Sequence, residues 1–127
     1  MLQVKYLDSV MIVSVDHKAL LDSLHVIAEQ IKVENRFVRS ICLFGSFHKG
    51  NYTPESDIDI LILLKENDEP FLMRSDQFSP FFVNIPFDVN ILVYTVMELH
   101  HMREKGSHFI EEILSESRDL LTQQTQV

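Results

Sequence analysis

Phe44-Gly45-Ser46, followed ten residues later by Asp57-Ile58-Asp59-Ile60-Leu61-Ile62-Leu63-Leu64, decides how this chain is read. The second segment is a β-strand pattern, apolar on both faces after Asp59, which places it centrally in a sheet. Side chains alternate across a strand, so Asp57 and Asp59 point to the same side. Two carboxylates on one face repel each other and resist burial. A hard cation between them resolves that conflict, and Mg²⁺ is the usual oxygen-seeking candidate. The segment therefore argues for metal-dependent phosphate chemistry.

The flanking sequence supplies the other elements. Asp16 is an N-cap candidate for a helix running to about Glu34, with Leu20, Leu24, Ile27, Ala28 and Ile31 on one face and Asn35 as its stop. Val38 to Phe44 reads as a strand ending at the Gly45-Ser46 turn. Ser46 to Gly50 forms a short helical turn, and residues 51–54 a loop. Phe87 to Tyr94 is a third strand, with Pro86 tolerable at its start. Thr95-Val96-Met97-Glu98 matches a capping box, and its helix stops near Gly106. Ser107 caps another helix, on which Ile110, Ile113, Leu114 and Leu121 share a face. Residues 1–13 are an uncertain lead-in, where residues 10–13 read equally as a strand or as the approach to a helix. In residues 65–84, Pro70 suits a helix start and Pro80 breaks the pattern. Phe71, Phe78, Phe81 and Phe82 there are expected in the core, with a partner-facing patch as the alternative. The tail, residues 123–127, is expected to fray.

Composition sets the outer bounds. The 127 residues suit one domain, with 46% apolar and 24% charged residues. A net charge of −8 disfavours a broad phosphate-backbone footprint, hence nonspecific nucleic-acid binding. The lone Cys42 excludes an internal disulfide and reads as a small buried hydrophobe rather than a nucleophile. The run from Ile60 to Leu64 is too short to span a bilayer, and Lys5, Asp8 and Asp16 interrupt any leader-like pattern. The expectation is a cytoplasmic protein without a membrane partner.

A third aspartate carries the chemistry further. Asp88 sits between Phe87 and Val89 in an otherwise apolar run, where aspartate is disfavoured. If the strands pair so that Asp88 faces Asp57 and Asp59, the three would hold two Mg²⁺ ions roughly 3.5–4 Å apart, the spacing of two-metal phosphoryl transfer. Gly45 permits a sharp bend, and a helical turn beginning at Ser46 would aim free N–H groups at an anion. Lys49 is placed to reach the same anion. A Gly-Ser pair alone is commonly an ordinary turn; its position before the aspartate strand gives it weight. Asn90 shares the Asp88 face, where an internal hydrogen bond is the simpler expectation.

Together these residues resemble the nucleotidyltransferases related to DNA polymerase beta. Gly45-Ser46, residues 47–56, then Asp57-Ile58-Asp59 matches their Gly-Ser-x10-Asp-x-Asp signature, and the length is similar to that of the minimal nucleotidyltransferases, or MNT proteins. The resemblance covers residues 16–121. It implies an α+β nucleotidyltransferase fold, a small mixed sheet flanked by helices. It implies that Asp57 and Asp59 ligate both metals, and that Asp88 completes the metal nearer the attacking hydroxyl. It further implies that Gly45 and Ser46 hold the β- and γ-phosphates of ATP or another NTP. Relatives often carry arginine where this chain has Lys49. MNT proteins often pair with a small helical HEPN protein, which implies an antitoxin that transfers AMP to a hydroxyl of its toxin. Transfer to a small molecule such as an antibiotic, and a non-catalytic nucleotide- or partner-binding module, are the alternatives. Homo- or hetero-oligomerisation is left open.

The remaining polar residues carry less. His17, His25, His48, His100, His101 and His108 form no zinc pattern. His100 and His101 project about 100° apart on a helix and read as solvated. His48 lies in the phosphate-loop segment. The Glu111-Glu112 pair reads as a solvated face near a helix start.

Overall fold

The β-branched run from Ile58 lies inside a four-stranded sheet because both of its faces are apolar. The structure, a computed structural model, describes residues 1–121. Its elements are β1 (Leu2–Leu7), β2 (Val10–Val15), α1 (His17–Glu34), β3 (Val38–Phe44), α2 (Ser46–Lys49), β4 (Ile58–Leu64), α3 (Phe71–Arg74), two 3-10 turns (Ser75–Gln77 and Ser79–Phe82), β5 (Val89–Thr95), α4 (Val96–Glu104), α5 (His108–Ser115) and β6 (Arg118–Asp119). The sheet order is β5-β4-β3-β6, with β4–β5 parallel and the other pairs antiparallel. This is an α+β architecture, a small mixed sheet flanked by helices. Among the described residues no helix is long and apolar enough to cross a membrane.

Period two along β4 divides its side chains. Ile58, Ile60, Ile62 and Leu64 join Leu20, Leu24, Ala28 and Ile31 of α1 in one buried cluster. The other parity carries Asp57, Asp59, Leu61 and Leu63, so the acids belong to the face away from α1. Asp16 caps α1 by accepting from the Ala19 N–H at 3.1 Å, and Asn35 ends it. Phe78 and Phe82 are buried in the core and Phe71 and Phe81 are half-buried, so core packing accounts for the aromatic cluster. Cys42 is half-buried, and burial pushes its thiol up to about 11, which keeps it protonated and unreactive.

One open reading is decided, with residues 10–13 in a strand, and two local expectations change. Residues 1–15 form an antiparallel ribbon, β1 with β2, turning through Asp8 and Ser9 at φ 47° and 73°. That pair of left-handed residues closes a two-residue hairpin, but an Asp-Ser dipeptide lacks the glycine that usually announces one. The apolar spacing of Ile110 to Leu121 predicts a single helix face, yet α5 stops at Ser115. The chain then doubles back as β6, where the Leu120 N–H donates to the Ile41 carbonyl at 2.7 Å and Leu120 is buried. Strand β5 begins at Val89, so Phe87 and Asp88 stand just before it. Residues 123–127 lie outside the described residues.

The segment between β4 and β5 is pinned by an ion pair that the sequence pattern does not announce. Arg74 is 4% exposed and grips Glu98 bidentately at 2.6 and 2.9 Å. It also donates to the Glu69 carbonyl at 2.9 Å and the Val93 carbonyl at 3.2 Å. Glu98 is the distal member of the Thr95 capping box, so one carboxylate closes a helix cap and neutralises a buried guanidinium. The Arg74 hydrogen bond holds Glu98 below the usual carboxylate range, aided by the Thr95 N–H and opposed by burial. Since the folded pKa is depressed, the native state binds fewer protons at Glu98 than the unfolded chain. Its stabilisation is complete above the ordinary value of 4.5 and is lost as pH falls below it. Chemical unfolding across this acid window should show wild-type stability falling more steeply than that of Glu98→Gln. At neutral pH, Arg74→Ala should cost about 2 kcal/mol, less than a fully buried pair because the Glu98 side chain stays 40% exposed.

Candidate active site

The site begins where β3 ends. Phe44 pairs with Asp59 across the β3–β4 ladder, and the chain leaves β3 through Gly45 at φ 74°, ψ −155°, a conformation essentially reserved for glycine. A Cβ on Gly45 would collide with Asp59 Oδ2 and lie 3.1 Å from its Cγ. The glycine therefore does two things: it makes the bend, and it leaves room for a carboxylate against the backbone. From there the chain enters α2, whose first hydrogen bonds are donated by the His48 and Lys49 N–H groups to the Gly45 carbonyl. The N–H groups of Ser46 and Phe47 precede that ladder, at the free end of the turn.

The acids sit at the mouth of the parallel pair. Asp59 is in register with Asn90, and the Ile58 N–H donates to the Asp88 carbonyl at 2.8 Å. That register places Asp88 beside Asp57, and the two border one polar groove with Glu55, Ser56 and Pro86. Asp57 and Asp88 are exposed, and Asp59 is half-buried. Asn90 spans the pair: its amide nitrogen donates to Asp57 Oδ2 at 3.3 Å and to Asp59 Oδ1 at 3.1 Å. The internal hydrogen bond expected of Asn90 is thus made, and to the acids themselves. Among the described residues no three His, Cys, Asp or Glu side chains are grouped closely enough to hold a metal ion. Asp57 and Asp59 are brought together through Asn90, while Asp88 lies beside Asp57 at the rim.

Lys49 goes elsewhere. Its ammonium lies 3.7 Å from Glu112 Oε1, in a small pocket with Phe44, Gly45, Phe109, Ile113 and Glu116. Glu112 is therefore the partner of the loop lysine rather than an idle surface acid, although so exposed a pair contributes little. The loop is held down by rings instead. Buried Phe47 stacks on Tyr52 at 4.7 Å and meets Phe87 edge-on at 5.1 Å, and Tyr52 stacks on His17 at 5.3 Å. This column ties the turn after Gly45 to the residue before Asp88. The sequence signal was an aromatic beside Ser46 and another beside Asp88, legible only once the two are known to meet.

With this geometry in place, the comparisons with known proteins are direct. The profile described as a nucleotidyltransferase domain matches residues 24–124. The chain belongs to the nucleotidyltransferase domain family. A Methanocaldococcus jannaschii protein whose name proposes a protein adenylyltransferase is 54% identical over 33 residues, 26% of this chain and 33% of that protein. The chain thus spans a third of the length of this relative. Among solved structures, a nucleotidyltransferase-type protein of Sulfolobus solfataricus aligns with a TM-score of 0.55 at 19% identity, covering 81% of this chain and 80% of that one. A toxin–antitoxin complex with AMP-PNP aligns at 0.57 and 18%, covering 81% and 75%. The Shewanella oneidensis complex of a tri-AMPylated HEPN toxin with an MNT antitoxin aligns at 0.52 and 15%, covering 85% and 74%. At these identities the likeness is one of fold, and it agrees with the minimal nucleotidyltransferase resemblance carried by the motif.

Gly45→Ala in this nucleotidyltransferase domain should cost about 3 kcal/mol, from the left-handed backbone and the collision with Asp59. In the Asp59→Ala background the same substitution should cost at least about 1 kcal/mol less, because the colliding carboxylate is gone. Urea unfolding of the four proteins measures that coupling, and strict additivity would show that Asp59 does not touch the bend.

Proposed function

We propose that this domain transfers AMP from ATP to a hydroxyl of a small helical partner protein of HEPN type, in a divalent-cation-dependent reaction, as the antitoxin of such a pair. One observation carries the reading: the Gly45 bend lies against the Asp59 carboxylate, and Asp59 shares its face with Asp57. A bend that could receive an anion and a pair of hard oxygen donors are thereby held side by side, which supports the reading. Family membership supports nucleotidyl transfer. The AMPylated toxin of the Shewanella complex supports a protein hydroxyl as acceptor, and the AMP-PNP complex supports ATP as donor.

The donor set of Asp57 and Asp59 supports Mg²⁺ as the cation, with Asp88 still to close on them. Their donor oxygens are hard, and the Asn90 amide, with its partly positive hydrogens, already lies between the two carboxylates where a cation would relieve their repulsion. Asp57 and Asp59 would hold both ions, and Asp88 the one nearer the acceptor. Bound Mg²⁺ supplies charge neutralisation at the phosphates and a more acidic acceptor hydroxyl. Gly45 and Ser46 position the β- and γ-phosphates through backbone N–H groups and the serine hydroxyl. Lys49 leaves Glu112 to join them. The acceptor oxygen attacks the α-phosphorus, its proton passes to the Asp88 carboxylate, and the bond to the bridging oxygen breaks to release pyrophosphate. We place this reaction in the cytoplasm, in keeping with a single cysteine and no disulfide.

The test incubates the protein, a candidate helical partner and Mg²⁺ with ATP labelled at the α-phosphate. Label on the partner is expected. Label on a small molecule would move the acceptor to that class, and binding without transfer would end the enzymatic reading. Asp57→Asn and Asp59→Asn should each lower transfer at least about 10³-fold. Without divalent ions both variants should remain folded and be as stable as wild type or more so, because like-charge repulsion is relieved. Asp88→Asn should reduce turnover more than ATP binding; equal losses would remove Asp88 from the acceptor side.

A further inference from the structure

We propose that the β1–β2 ribbon is the surface through which two copies of this chain associate, apolar face against apolar face. The cross-strand register sorts its side chains. Leu2 opposite Val15, Val4 opposite Val13, and Tyr6 opposite Met11 share one face, and all six are apolar. Gln3 opposite Ser14, Lys5 opposite Ile12, and Leu7 opposite Val10 share the other, which carries every polar side chain of the ladder. The apolar face is in water: Tyr6 is 74%, Met11 57% and Val4 51% exposed. Its base is anchored, where Met1 and Val15 pack on the core and the Asp16 N–H donates to the Met1 carbonyl at 2.6 Å. Among the described residues the ribbon pairs with no strand of the main sheet. An isolated two-stranded ribbon is marginal in water, and a contiguous exposed apolar face of this kind marks a binding surface.

A second copy is the occupant that charge and area favour. The chain carries −8, yet the ribbon's own charges, Lys5 and Asp8, cancel, so the acid excess lies elsewhere. Two copies meeting at their ribbons avoid the repulsion that opposes contact through the remaining surface. A two-fold axis lying midway between the stacked ribbons, over the Val4–Val13 rung, sets the same patch of each copy against the other, so one self-complementary patch suffices. Stacked ribbons would sit about 10 Å apart, as packed sheets do. Each copy offers on the order of 500 Å² of apolar surface, so pairing removes roughly 1,000 Å² from water, the lower bound of a specific interface. The result is a reversible dimer. The inference does not depend on the catalytic reading.

Sedimentation equilibrium of the full chain over a concentration series tests it. Wild type should show a monomer–dimer equilibrium that tightens as salt is raised, because screening relieves the mutual repulsion of two acidic copies. The double variant Val4→Lys/Tyr6→Lys should weaken dimerisation at least about tenfold. Val33→Lys, at an apolar position of α1 that is 83% exposed, should leave it unchanged. Far-UV circular dichroism and thermal unfolding report that the variants fold; both ribbon positions are exposed, so the core is untouched. A wild type that is monomeric at every concentration overturns the proposal, as does a dimer indifferent to the ribbon variant. A helical partner whose binding is lost in the ribbon variant, with no self-association of wild type, would assign the face to that partner instead.

Discussion

No side chain fits between the backbone of Gly45 and the carboxylate of Asp59, and the geometry of the site follows from that contact. It is set by the β3–β4 ladder, in which Phe44 pairs with Asp59. Because the bend and the acid are fixed to adjacent strands of one buried sheet, their separation does not depend on loop conformation. A site built on strands keeps its groups in place more strictly than one built on loops. The aromatic column of Phe47, Tyr52, His17 and Phe87 then holds the intervening loop against the same core.

The sheet pursues two opposed requirements along one strand. Ile58, Ile60, Ile62 and Leu64 need a dry core, whereas Asp57 and Asp59 need solvent or a cation. Parity satisfies both, since consecutive residues face opposite sides. The remaining conflict, two like charges on one face, is moderated by the Asn90 amide from the neighbouring strand. A neutral donor there stabilises both carboxylates without adding a third acid that would deepen their repulsion. Farther along the same pair of strands, Arg74 and Glu98 lock the crossover between β4 and β5, which delivers Asp88 to the rim beside Asp57.

Much of this is legible in local sequence. The capping box at Thr95, the cap at Asp16, the helical face of α1 and the central position of β4 are local patterns with short-range causes, and the structure contains each of them. The Gly45-Ser46 and Asp57-x-Asp59 spacing pointed to the family because a bend, a loop and a strand have characteristic lengths. The ribbon at residues 1–15 was harder, since its turn uses Asp8 and Ser9 in a conformation usually given to glycine.

By itself, the sequence determined periodicity, caps, and the identity of the acids that share a face, because each depends on neighbours within a few residues. Tertiary structure alone decided who meets whom across the chain. Asn90 reaches Asp59 over 31 residues, Arg74 reaches Glu98 over 24, and β6 folds back onto β3 to bury Leu120. Those partnerships are settled by which strands pair and in what register. That outcome depends on burying the whole core at once, and no local pattern encodes it.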